Sequence, residues 1–539
     1  MLTASLLAAA ATFTGGADPV APPQAVDAPQ TAQAAGPPNV LFILADDLGW
    51  QDSSVAFGSK RTELNRRFET PALERLASEG TLFTQAYACA VCSPTRVSLF
   101  TGQNAARHGV TQWTYLSGDQ PSSDLHHPTL DPAEWNWNGL QPVAANPGPH
   151  AVHAIALPER LRQAGYRTLH FGKGHLGARG TPGADPQAFG FDVRVGGRDA
   201  GGAGSYRGMQ RFGALKHPNG PWRAWDLDHY FDQDVHLSEA LTREATAAIR
   251  QATADGVPFF CYLAHYAPHT PIEPDERFAP RFRAAGLDEP EAAYASLVSG
   301  VDRSVGDLLA LLDELGVADD TLVVFTSDNG GLSHAKRGMS APHTHNRPLS
   351  SGKGSHHEGG IRVPLIVRRP GVVSAGARND VPVIVEDWFP TLLDVAGAAP
   401  PPADDHPVDG LSLRPLWEGR PPAELTDRAL IWHFPNFWGP LAAEPVRGPG
   451  MGPCSVIRRG DWKLIYYHDR TTDEQTAAGP FELFNLADDV SESTNLAARR
   501  PAVTKKLASE LGRTLRDRGA VLPVRRATGH RVPWPDELR

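Results

Sequence analysis

Along the chain, short runs of consecutive apolar residues alternate with longer stretches in which apolar positions recur every three or four residues. The runs Val40–Ala45, Arg167–Phe171, Phe259–Ala264, Thr321–Ser327 and Pro364–Val367 read as strands buried on both faces, each followed by a polar loop. The periodic stretches Pro71–Glu79, Leu157–Ala164, Leu237–Ala252 and Ala293–Leu315 read as helices. Strands and helices in alternation predict an α/β fold: a large, mainly parallel sheet flanked by helices. Gly118–His150 breaks the pattern with Pro, Asn, His and Trp, and is expected to be a long surface loop. Beyond about Leu430 the strand-like pieces Cys454–Arg458 and Trp462–Tyr467 precede a helix near Ala502–Arg518. They predict a smaller C-terminal α+β subdomain, an antiparallel sheet plus a helix. The expected division is therefore 1–37 as leader and linker, 38–425 as the main domain and 426–539 as the subdomain.

Leu2–Phe13 is an Ala/Leu-rich run too short to span a bilayer, and a linker rich in Ala, Pro, Gln and Gly follows it. It reads as a signal peptide, although no Lys or Arg precedes it, and it predicts a periplasmic or secreted protein. No later segment reads as a membrane span. The formal net charge of −10 is spread along the chain, which argues against a nucleic-acid partner but leaves a small anionic one open. Four cysteines (Cys89, Cys92, Cys261 and Cys454) are too few for a disulfide scaffold. Cys89 and Cys92 form a C-x-x-C with no second half to complete a zinc site.

The candidate chemistry sits where strands end, the position at which open α/β sheets place their active sites. The first strand runs into Asp46-Asp47, the second into Lys173 and His175, the third into His265 and His269, and the fourth into Asp328-Asn329-Gly330-Gly331. Asp46, Asp47, Asp328 and Asn329 offer only oxygen, which selects a hard cation, and three carboxylates suit Ca2+ better than Mg2+. The same residues also serve as helix caps and turns, so that reading stands beside the first. In Cys92-Ser93-Pro94-Thr95-Arg96, Pro94 fits the first turn of a helix. Cys92 would then lie at an anion-favouring helix end with Arg96 one turn along. The alternative is a buried structural cysteine.

These residues resemble the C-x-P-x-R signature of type I sulfatases, members of the alkaline phosphatase superfamily. Gly172-Lys173-Gly174-His175 is similar to the family's G-K-x-H element and Ala267-Pro268-His269 to its P-H element. Ser327-Asp328-Asn329-Gly330 is similar to its D-N-G loop, and Lys353-Gly354 with Glu358-Gly359-Gly360-Ile361-Arg362-Val363-Pro364 to its K-G…E-G-G-x-R-x-P segment. The resemblance covers residues 39 to about 500. Gly174 stands where many relatives carry Trp.

The resemblance implies a sulfuric ester hydrolase of arylsulfatase type, whose Cys92 a formylglycine-generating enzyme oxidises to formylglycine (3-oxoalanine). It implies Ca2+ held by Asp46, Asp47, Asp328, Asn329 and the oxygen at position 92. Asp328 would take the nucleophile's proton and Arg96 would stabilise the hydrated aldehyde. Lys173, His269 and Lys353 would neutralise the sulfate, His269 with Lys353 would protonate the leaving oxygen, and His175 would act as base when sulfate is eliminated. Relatives of this kind act on sulfated saccharides, here by expectation a terminal galactose or N-acetylgalactosamine sulfate. A phosphate or phosphonate monoester hydrolase, or a non-catalytic carbohydrate-binding relative, is the alternative. His265, His343, His345 and Asn346 are further candidate contacts, and Trp113, Trp135 and Trp137 a candidate stacking platform. Gly172–Gly177 also satisfies G-x-G-x-x-G, but Gly180, Pro182, Gly183 and Pro186 leave no helix to hold a pyrophosphate.

Overall fold

In the computed structural model the chain is described at Met1 and at residues 36–119, 121, 127–144, 148–216, 218–333, 342–419, 421–437, 451–471 and 479–538. The leader and linker expected over 1–37 fall almost wholly outside this set. Residues Gly36–Arg539 form one compact body.

Among the described residues its main sheet has nine strands. Those that matter here are β1 (Asn39–Ala45), β2 (Thr81–Tyr87), β3 (Arg167–Gly172), β4 (Val193–Gly196), β5 (Phe259–Ala264), β6 (Thr321–Ser327), β7 (Arg362–Arg368) and β8 (Ala377–Asn379). Their order across the sheet is β8-β2-β7-β6-β1-β5-β3-β4, with Val383–Ile384 also paired to β2. β1 lies at the centre between β5 and β6, parallel to both. Its side chains alternate between two cores: Val40, Phe42 and Leu44 pack into one, and Leu41, Ile43 and Ala45 into the other. Burial of both faces is why this strand is an unbroken apolar run.

One strand departs from the sequence reading. The run Pro364–Val367 lies in β7, which is antiparallel to both β6 and β2. A parallel return needs a crossover to the far end of the sheet. The described part of the connection after Ser327 holds only the single helical turn Glu358–Ile361, so the chain re-enters from the end it left. Burial on both faces gives an apolar run in either direction, and all seven residues of β7 are buried.

The helices α1 (Pro71–Glu79), α2 (Cys92–Thr101), α3 (Leu157–Gln163), α4 (Leu237–Ala254), α5 (Glu289–Glu314) and α6 (Trp388–Ala396) cover the two faces. A separate antiparallel sheet follows: β9 (Ala429–Phe434), β10 (Cys454–Arg459), β11 (Trp462–Tyr467) and β12 (Phe481–Asn485). Helix α7 (Pro501–Asp517) packs on it through Leu507, Leu511 and Leu515, against Ile431, Ile457, Leu464 and Leu483. Gly118–His150 is not simply a surface loop. Leu130, Trp135, Trp137 and Leu140 are buried, and Leu130–Asp131 pairs with Val524–Arg525. Among the described residues no helix is long and apolar enough to cross a membrane.

Candidate active site

Four neighbouring parallel strands, β6, β1, β5 and β3, end on the same edge of the sheet and carry the candidate residues there. β1 delivers Asp46 and Asp47, both buried. Asp47 has φ +64°, a left-handed conformation costly for a residue with a Cβ, and His175 after β3 has φ +56°. Lys353 and Asn329 hold Asp47 there, and the Thr114 carbonyl holds His175.

Helix α2 begins at Cys92, with Val91 extended before it, and all ten of its residues are buried. Thr95 fastens it: its hydroxyl accepts from the Cys89 amide at 2.9 Å and donates to the Asp328 carbonyl at 2.7 Å. Arg96 donates to Asp328 Oδ2 from Nε at 3.0 Å and Nη2 at 2.7 Å, and to the Lys173 carbonyl from Nη1 at 3.1 Å. Such charge-assisted pairs are strong once both partners leave water.

Two lysines complete the charge. Lys173 Nζ lies 2.8 Å from both oxygens of Asp46, and Lys353 Nζ 2.6 Å from Asp47 Oδ1. Asn329 Nδ2 donates to the same Asp47 oxygen at 2.8 Å, and the Asp47 amide donates to Asp328 Oδ1 at 3.2 Å. Burial raises the Asp46 pKa well above the usual carboxylate range, and the charges of Asp328 and Asp47 add to the effect against Lys173. Burial works in the same direction on Asp328, but Arg96 and Lys173 outweigh it and hold that group low. Asp47 is likewise held low against burial by Lys353, His269 and Lys173. Three buried carboxylates thus face three buried cations, Arg96, Lys173 and Lys353.

The donor set fits a hard cation. Asp47 Oδ2 and Asn329 Oδ1 are buried and accept no hydrogen bond, a costly state for two oxygens unless something positive faces them. Ligand atoms of Asp46, Asp47 and His269 come within 4.8 Å of one another. Asp328 is turned toward Arg96 and the Asp47 amide.

The two imidazoles have defined tautomers by their partners. His269 Nδ1 lies 2.7 Å from the Thr270 carbonyl, so it carries the proton, and Nε2 faces Asp47 Oδ2 at 3.7 Å. His175 Nε2 lies 2.8 Å from the Thr114 carbonyl, which leaves Nδ1 a buried lone pair without a hydrogen bond. Burial and the charge of Lys173 drive the His175 pKa well below that of free histidine. Both rings are closely backed by glycine. A Cβ on Gly201 would lie 2.6 Å from His175 Cε1, and one on Gly202 3.1 Å from His269 Nδ1.

A cavity of about 390 Å3 opens on Cys92, His175, His269 and Lys353, lined also by Trp113, Thr114, Tyr115, Gly201, Gly202 and Trp222. The structure thus brings together Asp46, Asp47, Cys92, Arg96, Lys173, His175, His269, Asp328, Asn329 and Lys353. Other candidates fall elsewhere. His265 is buried on Ser304 Oγ at 3.0 Å and pushed down to about 3 by burial, a packing residue. His343 packs on Tyr294, His345 pairs with Glu291 at 2.6 Å, and Asn346 holds Gly331 and Ser351. Trp135 and Trp137 sit in a core, so of the three tryptophans only Trp113 reaches the cavity. After Gly172–Gly177 the first helical turn is Pro182–Ala184, so no helix follows the glycine pattern. Tyr115, Trp222, Gly201 and Gly202 were not singled out from sequence; the run Gly201-Gly202-Ala203-Gly204 was the available sign of close backbone approach.

A family profile described as sulfatase matches residues 38–398, and one described as N-sulphoglucosamine sulphohydrolase, C-terminal, matches 352–518. A sulfatase of Formosa agariphila is 30% identical over 531 residues, covering 89% of this chain and 88% of that protein. The N-acetylgalactosamine-6-sulfatase of Canis lupus familiaris is 32% identical over 415 residues, covering 75% of this chain and 69% of its own. Among solved structures, Ps i-CgsB superposes with a TM-score of 0.69 at 27% identity, covering 89% of this chain and 93% of that one. The same protein has been crystallised with k-i-k-neocarrahexaose.

Proposed function

The chain belongs to the sulfatase family and is a sulfate ester hydrolase, and from that premise we propose that it desulfates carbohydrates with a nucleophile made from Cys92. One observation carries the reading: Cys92, at an N-terminal helix end, shares one cavity with Lys353, His175 and His269, beside three carboxylates and Arg96. A thiol is a poor partner for repeated sulfate transfer. Oxidation of Cys92 to formylglycine by a formylglycine-generating enzyme supplies an aldehyde, and addition of water to it gives a gem-diol whose hydroxyl is the nucleophile. Asp46, Asp47, Asp328 and Asn329 would hold Ca2+, which supplies Lewis acidity and a fixed positive charge when bound.

The remaining work belongs to the side chains. Lys353 and His269 line the cavity, where they neutralise sulfate oxygens, while Lys173, fully buried on Asp46, adds its charge from behind. Arg96 fixes Asp328, whose carboxylate takes the nucleophile's proton. Because His269 Nδ1 is committed to Thr270, the protonated ring presents Nε2–H to the leaving oxygen as general acid. His175, held neutral by its surroundings, offers Nδ1 as the base that releases sulfate. The proposal includes a leader over 1–37 with export to the periplasm or medium, and a subdomain boundary near residue 425.

The test compares 4-nitrophenyl sulfate with 4-nitrophenyl phosphate, using protein co-expressed with a formylglycine-generating enzyme. The sulfate ester should have the higher kcat/KM, and Ca2+ should raise Tm while a chelator lowers both Tm and rate. Preference for the phosphate ester would assign a phosphate or phosphonate hydrolase. Saccharide binding without turnover of either ester would assign a non-catalytic relative.

A further inference from the structure

The cavity lining has two parts of opposite character. Lys353, His269 and His175 suit an anion, whereas Trp113, Tyr115 and Trp222 present ring surfaces. The face of an aromatic ring carries negative potential, so these rings contribute nothing to holding sulfate and serve whatever the sulfate is attached to.

The rings form a continuous surface. Trp113 and Tyr115 lie 6.1 Å apart between centroids, tilted by 53°, and Tyr115 stacks on Trp222 at 5.8 Å and 24°. All three line the cavity that opens on Cys92. Trp222 is 36% exposed, a large apolar group left in water beside the site.

The backbone that carries the rings is anchored to the catalytic residues. Thr114, between Trp113 and Tyr115, is buried; its amide donates to Ser93 Oγ at 3.1 Å, and its carbonyl holds His175 at 2.8 Å. Ser93 follows Cys92 directly, so the two rings are tied to the nucleophile and to the base. The Trp222 carbonyl accepts from the Gly204 amide at 2.6 Å, and a Cβ on Gly213 would lie 2.6 Å from that oxygen. The segment Gly201–Gly204 thus lies against His175, His269 and Trp222 together.

We infer that Trp113, Tyr115 and Trp222 form the subsite for the pyranose ring that bears the sulfate, stacking on its C–H face. At about 390 Å3 the cavity is near the low end of the roughly 300–1,000 Å3 typical of small-molecule sites, room for one sugar with its sulfate. This inference rests on the carbohydrate sulfatase reading above.

The experiment measures KM for galactose 6-sulfate and N-acetylgalactosamine 6-sulfate, Ki for inorganic sulfate, and turnover of 4-nitrophenyl sulfate as the control for chemistry. Wild type is compared with Trp222→Ala, Tyr115→Ala and Trp222→Phe. Each alanine variant should raise KM for the sugar sulfate about tenfold, the loss of roughly one ring face of apolar contact. Sulfate Ki should stay unchanged, and Trp222→Phe should recover most of the affinity. Unchanged KM in both alanine variants, or an equal rise in KM and sulfate Ki, would overturn the subsite. Wild-type turnover of 4-nitrophenyl sulfate with neither sugar sulfate would also overturn it and leave the sulfatase reading standing. Turnover of no sulfate ester at all would overturn that reading instead.

Discussion

Residue by residue, the site is a balance between crowded carboxylates and the cations that face them, and most of its members were legible. Asp46, Asp47, Asp328, Lys173 and Arg96 stand at strand ends or in a helix's first turns, where sequence pattern marks them. What was not legible is the backing of the imidazoles, because a glycine in a loop gives no sign of what approaches it. Gly201 tests that backing. A Cβ there would lie 2.6 Å from His175 Cε1, so Gly201→Ala must displace the ring. A displacement near 1 Å can cost about 100-fold in rate, and the expected result is kcat lowered by about 10- to 100-fold with KM for 4-nitrophenyl sulfate little changed. Steady-state kinetics check it, and an unchanged kcat would show that His175 needs no fixed position.

At the scale of elements, helices and central strands follow from apolar spacing, and α1 and β5 match their sequence-predicted limits. Strand direction does not follow from spacing. β7 runs against its neighbours because of how the chain returns from the Asp328 loop, and a doubly buried strand reads the same either way. β2, with Thr81, Thr84 and Gln85 among its apolar residues, gave no clear period and was missed. Caps supplied from a distance are equally hidden. The hydroxyl of Thr70, the N-cap residue of α1, bonds Ser54 instead of capping its own helix, and Asp302 on α5 accepts from the amides of Ala72 and Leu73 at 3.2 and 2.8 Å. Asp302→Ala should therefore destabilise the protein by about 1 kcal/mol, the usual worth of a cap, measured by denaturant unfolding. No loss would mean that α1 is held by packing alone.

Across the whole molecule, the two sheets meet through buried charge. Lys463 on β11 lies 2.9 Å from both Glu358 and Glu492, and Glu358 also accepts from Tyr87 on β2 at 2.7 Å. His357 sits 3.3 Å from both Glu482 and Glu492. Burial opposes its charge, but Glu492 and Glu482 prevail and push His357 up to about 9. A group raised above its unfolded value of about 6.5 stabilises most below that pH and loses the contribution as pH rises through about 9. Tm of the wild type should thus fall between pH 6.5 and 9 by more than that of His357→Gln, and parallel curves would remove His357 from the account. None of these long-range pairings was legible, because sequence records which charges exist and not which ones burial forces together.

The central claim is that sulfate ester hydrolysis runs on a modified Cys92. Its most direct test is the mass of the peptide containing residue 92, taken from a preparation that turns over 4-nitrophenyl sulfate. The account predicts the mass of the aldehyde or its hydrate in place of the thiol. An active preparation in which residue 92 is wholly unmodified cysteine would contradict it.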